Sequence, residues 1–326
     1  MLLSLLYATW LLQASAASST PTPEPAVEVA PGIHLIRGAV VPGRGPDGNT
    51  ILIDAPDGLI VVDTGRHTYH SDAILAFARE RKRPIAAIVN THWHLDHSSG
   101  NIRLKAAYPK ARVYTTTAID RALAPGGFLA RNLESAKQTF PSTTDALRKE
   151  EMQIFITTMA VRDHLRPDVP LTRSAPTPLA GRTLDVRVTD KAVSDADAWL
   201  YDEKTRVAVI GDLVTVPVPY FETACPDRWR TALDEVWATS FETAIPGHGR
   251  PLTRAHFDAY RKSFGAFVEC ARSDSPAAQC GTAWADGISV LLGDDPARRK
   301  AVASNIEYYV GYLRNNGGKA PDCLAQ

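Results

Sequence analysis

Thr91-His92-Trp93-His94-Leu95-Asp96-His97 directly follows an apolar run, Ile85 to Val89, that reads as a buried strand. Side chains alternate along an extended chain, so His92 and His94 are predicted to point both imidazoles to one side. Asp96 and His97 come where the chain is expected to turn into a helix, and can address the same small volume from its other side. The pattern suits one cation held by two imidazoles beside another held by a carboxylate and an imidazole. A lone HxH says little, because such pairs occur on ordinary surfaces. HxHxDH at the end of an apolar strand is specific.

The 326 residues suffice for one large α/β domain or two small ones, and 44% hydrophobic with 22% charged residues is an ordinary globular balance. Net charge is zero, and the basic tract Arg79-Glu80-Arg81-Lys82-Arg83 is short enough to be a solvated helix end. No nucleic-acid partner is expected, and a small-molecule substrate is. Leu2 to Leu12 is mostly apolar and Ala14-Ser15-Ala16 resembles a cleavage site, so residues 1–16 read as a signal peptide and 17–30 as a linker. The missing basic start leaves an uncleaved anchor as the alternative. A periplasmic or secreted protein with no membrane span after cleavage is expected. Oligomeric state is not readable. Cys225, Cys270, Cys280 and Cys323 form no CxxC, which points away from a thiolate site and toward one or two disulfides. Cys270 with Cys280 is the local pairing, leaving Cys225 with Cys323, although three connectivities are open.

Ile33 to Arg37, Thr50 to Ala55 and Leu59 to Val62 read as strands, the first two flanking a glycine-rich loop, Pro42 to Asn49. Its composition predicts an exposed loop. A helix capped by Ser71 and stopped by Pro84 leads into the strand before the histidines, giving a βαβ unit with polar residues at the strand's C-terminal end. Helices are expected from Ser98 to Tyr108 and Thr117 to Leu123, with a short strand at Arg112 to Tyr114 between them. Residues 124–170 favour helix without a clear strand and read as a helical insertion. Strands return at Thr183 to Val188, Ala198 to Tyr201, Val207 to Ile210 and Glu242 to Ile245, with a helix near Asp227 to Ala238. Two helices at about 254–316 carry apolar stripes: Phe257, Tyr260, Phe264 and Phe267, then Val302, Ile306, Tyr309, Val310 and Leu313.

Val62-Asp63-Thr64-Gly65, the HxHxDH run, Gly211-Asp212 and Pro246-Gly247-His248-Gly249, in that order and at strand ends, resemble the metallo-β-lactamase-fold hydrolase superfamily from about Ile33 to Leu252. The resemblance implies an α/β fold, an αββα sandwich of two mixed sheets face to face with outer helices, within a domain covering 31–326. It also implies His92 and His94 at a first metal and Asp96, His97 and His248 at a second. Asp212 would bridge the two, and Asp63 would orient a ligand. Asp96 and Asp212 are then the catalytic carboxylates, and the cofactor is one or two zinc ions, with iron and manganese as open alternatives. One expected ligand is missing. The position of the first metal's third histidine, four residues before Asp197, is Val193, and no histidine lies between His164 and His248. Asp190, Asp195, Asp197 or His164 are the substitutes the sequence offers.

These residues imply an exported metal-dependent hydrolase that turns a metal-activated water on an ester, lactone, lactam or related bond. The alternatives are a non-haem iron oxygenase of the same fold and a degenerate member that binds a metal or ligand without turnover.

Overall fold

Apolar β-branched runs broken by glycine- and proline-bearing turns set up the first sheet. Its strands are β1 (Val27–Ala30), β2 (Ile33–Ile36), β3 (Thr50–Ala55), β4 (Gly58–Val62), β5 (Ile85–Val89), β6 (Arg112–Thr115) and β7 (Val169–Pro170), lying side by side in that order. β1 to β4 pair antiparallel. β4 to β7 pair parallel, so the sheet is mixed. The computed structural model describes residues 24–323, so the expected signal peptide at 1–16 lies outside the described residues. The chain divides into two compact units. One unit runs to Pro170 and includes Leu179–Arg182, and the other takes Leu171–Pro178 and Thr183 onward.

The first unit carries helices α1 (Thr68–Glu80), α2 (Leu95–Ser98), α3 (Asn101–Ala107), α4 (Ala118–Leu123), α5 (Phe128–Thr139) and α6 (Ala146–Ala160). Crossover helix α1 connects two parallel neighbours, as such a pairing requires. Its Ile74, Leu75 and Ala78 pack with Leu59, Val61, Ile85 and Ile88 in one buried cluster. Each such Leu or Ile contributes about 1.5–3 kcal/mol, and this cluster fixes the strand end from which the histidines emerge.

Two expectations change in this unit. Residues 27–30, counted with the linker, pair with β2 as an edge strand, because Val27 and Val29 bring β-branched residues to a free sheet edge. Ser71 does not cap α1. The helix starts at Thr68, and the Ser71 hydroxyl donates back to the His67 carbonyl.

The second unit's sheet has the order β13-β12-β11-β10-β9-β8, from β8 (Ala175–Leu179), β9 (Arg182–Asp190), β10 (Ala196–Asp202), β11 (Val207–Thr215), β12 (Thr243–His248) and β13 (Leu252–Thr253). β11 and β12 run parallel across α7 (Pro226–Trp237), while β9–β10, β10–β11 and β12–β13 are antiparallel. Both sheets are therefore mixed and helix-flanked, as the expected fold class requires. Helices α8 (Arg254–Arg272), α9 (Ala277–Gly287), α10 (Ser289–Leu292) and α11 (Pro296–Asn315) follow. The stripe Phe257, Tyr260, Phe264 and Phe267 is buried against Phe221, Trp229 and Trp284.

Disulfides join Cys225 to Cys323 and Cys270 to Cys280, the favoured pairing. Among the described residues no helix is long and apolar enough to cross a membrane.

Candidate functional site

Beyond β5 the chain leaves extended geometry in bends at residues 91–93 and turns into α2 at Leu95. This turn gathers three imidazoles. The His92 ring lies 4.4 Å from the His94 ring and 4.4 Å from the His97 ring, centroid to centroid. Asp96 Oδ2 stands 3.4 Å from His97 Nε2. All three histidines are buried. The first unit thus brings together the four candidate ligands His92, His94, Asp96 and His97.

Asp63, at the end of β4, organises this group. It sits at φ 58°, and its own amide donates to the Val89 carbonyl, locking β4 to β5. Its carboxylate accepts from the Thr91 amide and hydroxyl, each at 2.8 Å, and from His97 Nδ1 at 2.9 Å. A carboxylate only accepts, so His97 Nδ1 carries a proton and donates it to Asp63, which leaves Nε2 as the ring atom a cation would take. The Thr91 hydroxyl spends its one proton on Asp63, which leaves its oxygen to accept from His92 Nδ1 at 3.0 Å. His92 is then also the tautomer with its lone pair on Nε2. A carboxylate or hydroxyl behind each imidazole is how metal-binding histidines are oriented. This donor set fits a divalent cation. Behind it, Asn90 and Thr64 both donate to the His97 carbonyl, and Asn101 ties them together.

In the second unit Asp212 lies inside β11, which runs on to Thr215 instead of ending before Gly211, with an irregular register beside Pro246. His248 closes β12, its Nε2 3.6 Å from Asp212 Oδ1. Gly247 is required between them, since a Cβ there would stand 2.0 Å from the same oxygen. Of the substitutes offered for the missing histidine, Asp195 is half-buried. Val193 is 1% exposed and belongs to the apolar cluster with Trp199 and Phe221. Asp197 turns back on its own loop, accepting from the amides of Ala192, Val193 and Ser194 and from the Ser194 hydroxyl. Burial pushes its carboxyl up to about 6 even against those donors. Asp190 and His164 are exposed.

The loop Pro42 to Asn49 is not the exposed loop its composition predicts. Only its tip, Pro42 and Gly43, is exposed, while Asp47 is fully buried. Asp47 Oδ1 accepts from the amides of Arg66 and His67, and Oδ2 lies 2.8 Å from His67 Nδ1. On the far side, His67 Nε2 is 3.0 Å from Glu151 Oε1 on α6. Burial pushes the His67 imidazolium down, but hydrogen bonds to Asp47 and Glu151 prevail and hold it at about 9. For Asp47 burial acts upward, and the His67 hydrogen bond with the His70 and His67 charges brings it to about 2. No local motif flags these residues, because Glu151 is 84 positions from His67. The available signal was Asp47 itself, a carboxylate in a loop otherwise made of Pro, Gly, Arg and Asn.

Two mixed, helix-flanked sheets, with candidate metal ligands just beyond β5 and on β11 and β12, define an α/β class of fold. A family model described as the metallo-beta-lactamase superfamily matches residues 43–275, and the chain belongs to that superfamily. The Linear primary-alkylsulfatase of Pseudomonas sp. (strain ATCC 19151) is 27% identical over 222 residues, 62% of this chain and 41% of that protein. The chain therefore spans about two-fifths of that relative's length. Among solved structures, the stereoselective inverting sec-alkylsulfatase Pisa1 from Pseudomonas sp. aligns with a TM-score of 0.58 at 16% identity, covering 89% of this chain and 50% of that one. A metallo-beta-lactamase family protein from Thermus thermophilus aligns with a TM-score of 0.57 at 18% identity, covering 89% and 95%. At such identities the likeness is one of fold.

Proposed function

We propose that this protein is an exported metal-dependent hydrolase of small molecules. In this reading His92, His94 and Asp212 hold one cation and Asp96, His97 and His248 a second, with Asp212 shared. The observation that carries it is the pair of imidazoles, His92 and His97, whose protons are fixed on Nδ1 by Thr91 and Asp63. Such fixation is of use to a metal ligand and of little use to a packing residue.

A bound zinc ion lowers the pKa of a coordinated water to about 7 and polarises the bond under attack. The chain's own part is to orient and to move protons. Asp63 and Thr91 keep the His97 and His92 lone pairs turned outward. The Asp212 carboxylate would accept a proton from the attacking water, and Asp96 would help to orient that water. With Val193 in the apolar core, the first set has three protein ligands and is the weaker of the two. The two disulfides agree with an oxidising compartment.

Among ester-type bonds, the match to an alkylsulfatase favours a sulfuric ester of an apolar alcohol over a lactam or lactone. The test is metal analysis of protein purified without added metal, followed by chelation, zinc add-back and a panel of alkyl sulfates, lactones, lactams, thioesters and phosphoesters. Activity lost on chelation and restored by zinc, with alkyl sulfates turned over fastest, is the expected outcome. A His97→Ala, His248→Ala double variant with full activity would overturn the reading.

A further inference from the structure

His67 takes no part in the proposed chemistry, yet this buried ring is held by polar partners at both of its nitrogens. Both its ring nitrogens face carboxylates, Nδ1 at 2.8 Å from Asp47 and Nε2 at 3.0 Å from Glu151. Carboxylates accept only, so both nitrogens donate and the ring is an imidazolium. Tyr69 stacks on it with centroids 5.0 Å apart. Glu151 also accepts from the Gly45 amide at 3.0 Å and from the Arg44 guanidinium at 3.2 Å. Loop 44–47 is thereby tied to α1 and α6 at both ends of one ring.

The next residue reaches the ligand stretch. The Gly48 amide donates to the Asp96 carbonyl at 2.9 Å. Its Cα faces the His97 ring so closely that a Cβ there would lie 2.5 Å from Cε1 and 2.6 Å from Nδ1. One face of the His97 imidazole is thus set by the backbone at 48, and the place of that backbone is set by Asp47.

We infer that His67 is a positioning residue which, by clamping Asp47 to Glu151, sets Gly48 against Asp96 and His97 and so fixes the geometry of these two ligands. The inference rests on the proposed metal-binding role of Asp96 and His97 for its consequence, but its structural part does not need a metal. Removing the ring takes away the link between Asp47 Oδ2 and Glu151 and loosens the loop, so the backbone at 48 no longer holds the Asp96 carbonyl and the His97 ring as closely.

The experiment compares wild type with His67→Ala and Gly48→Ala in the full chain. In metal-free protein, nitrogen-15 NMR of the His97 ring is recorded. Zinc affinity is then measured by competition with a chromophoric chelator, with circular dichroism to show that each variant is folded. Both variants are expected to move the His97 ring resonances and to weaken zinc binding by about 10-fold or more. Leu313→Ala, in the second unit's core, is the control for stability loss alone and should move neither. His97 resonances and zinc affinity both unchanged in folded His67→Ala would overturn the inference. Should His67→Ala fail to fold, Glu151→Gln, which keeps the Asp47 contact, and Gly48→Ala are measured by the same two readouts, and no change in either would overturn it equally. A wild type that binds no zinc would sink the metal reading alone, and the His97 resonances would still decide whether His67 positions that ring.

Discussion

Asp63 Oδ2 lies 2.9 Å from His97 Nδ1, joining residues 34 positions apart, and the same oxygen accepts from the Thr91 hydroxyl. One carboxylate oxygen therefore sets the tautomer of His97 directly and that of His92 through Thr91. Asp63→Asn would put an amide NH2 where that oxygen is, drive the His97 proton to Nε2 and remove the lone pair a cation needs. Zinc affinity is expected to fall about 10- to 100-fold, with the protein still folded. A chelator competition titration beside a melting curve checks this.

The clamp at His67 gives stability a pH dependence of defined sign. His67 titrates near 9 when folded and near 6.5 when unfolded, so the folded state binds the proton more tightly. Its contribution is complete below about 6.5 and is lost as pH rises through 9, at up to about 1.4 kcal/mol per pH unit. Asp47, at about 2 when folded against about 3.9 unfolded, contributes above 3.9 and loses that contribution as pH falls through 2. Urea midpoints from pH 6 to 10 should decline steeply in wild type above 6.5, and much less in His67→Gln.

Val193→His is not expected to restore a third ligand to the first metal set. The valine side chain is in the apolar cluster with Trp199 and Phe221. An imidazole there would lose its water without gaining a partner, costing about 1–3 kcal/mol. The melting temperature should drop with zinc stoichiometry unchanged, as calorimetry and metal analysis would show.

Cys225 and Cys323 close a loop with a sequence separation of 98 residues, while Cys270 and Cys280 are separated by 10. A loop of about 100 residues is worth about 4.7 kcal/mol in the chain-entropy picture. Cys225→Ser with Cys323→Ser should therefore cost more stability than Cys270→Ser with Cys280→Ser, measured by denaturant titration without reductant.

The strands that carry the site were legible because β4 and β5 are short uninterrupted apolar runs followed at once by polar, ligand-type residues. Thr50–Ala55 and Ile85–Val89 form as expected to the residue. β8 was hidden by its two prolines, Pro176 and Pro178, which a strand at the edge of a sheet tolerates and a central one does not. The same reasoning misled at Pro42 to Asn49. Proline and glycine mark a turn, but burial there is decided by Asp47, whose partners His67 and, beyond it, Glu151 are brought near by the fold. Helix α9 was missed because Ala277 to Gly287 has few charges to mark a solvent face. Ligand stretches are local in sequence and readable, whereas the clamp behind them joins three distant segments and is not.

The bare Cα of Gly48 against the His97 ring has a consequence for sequence tolerance. In a library randomised over residues 42–49 and screened for function, position 48 should return glycine alone, since alanine already collides with the ring. Position 47 should return aspartate, whose two oxygens serve three separate donors. Pro42 at the exposed tip should drift freely. A loop that looks interchangeable by composition would then show two invariant positions side by side, one chosen for having no side chain and the other for the reach of its own.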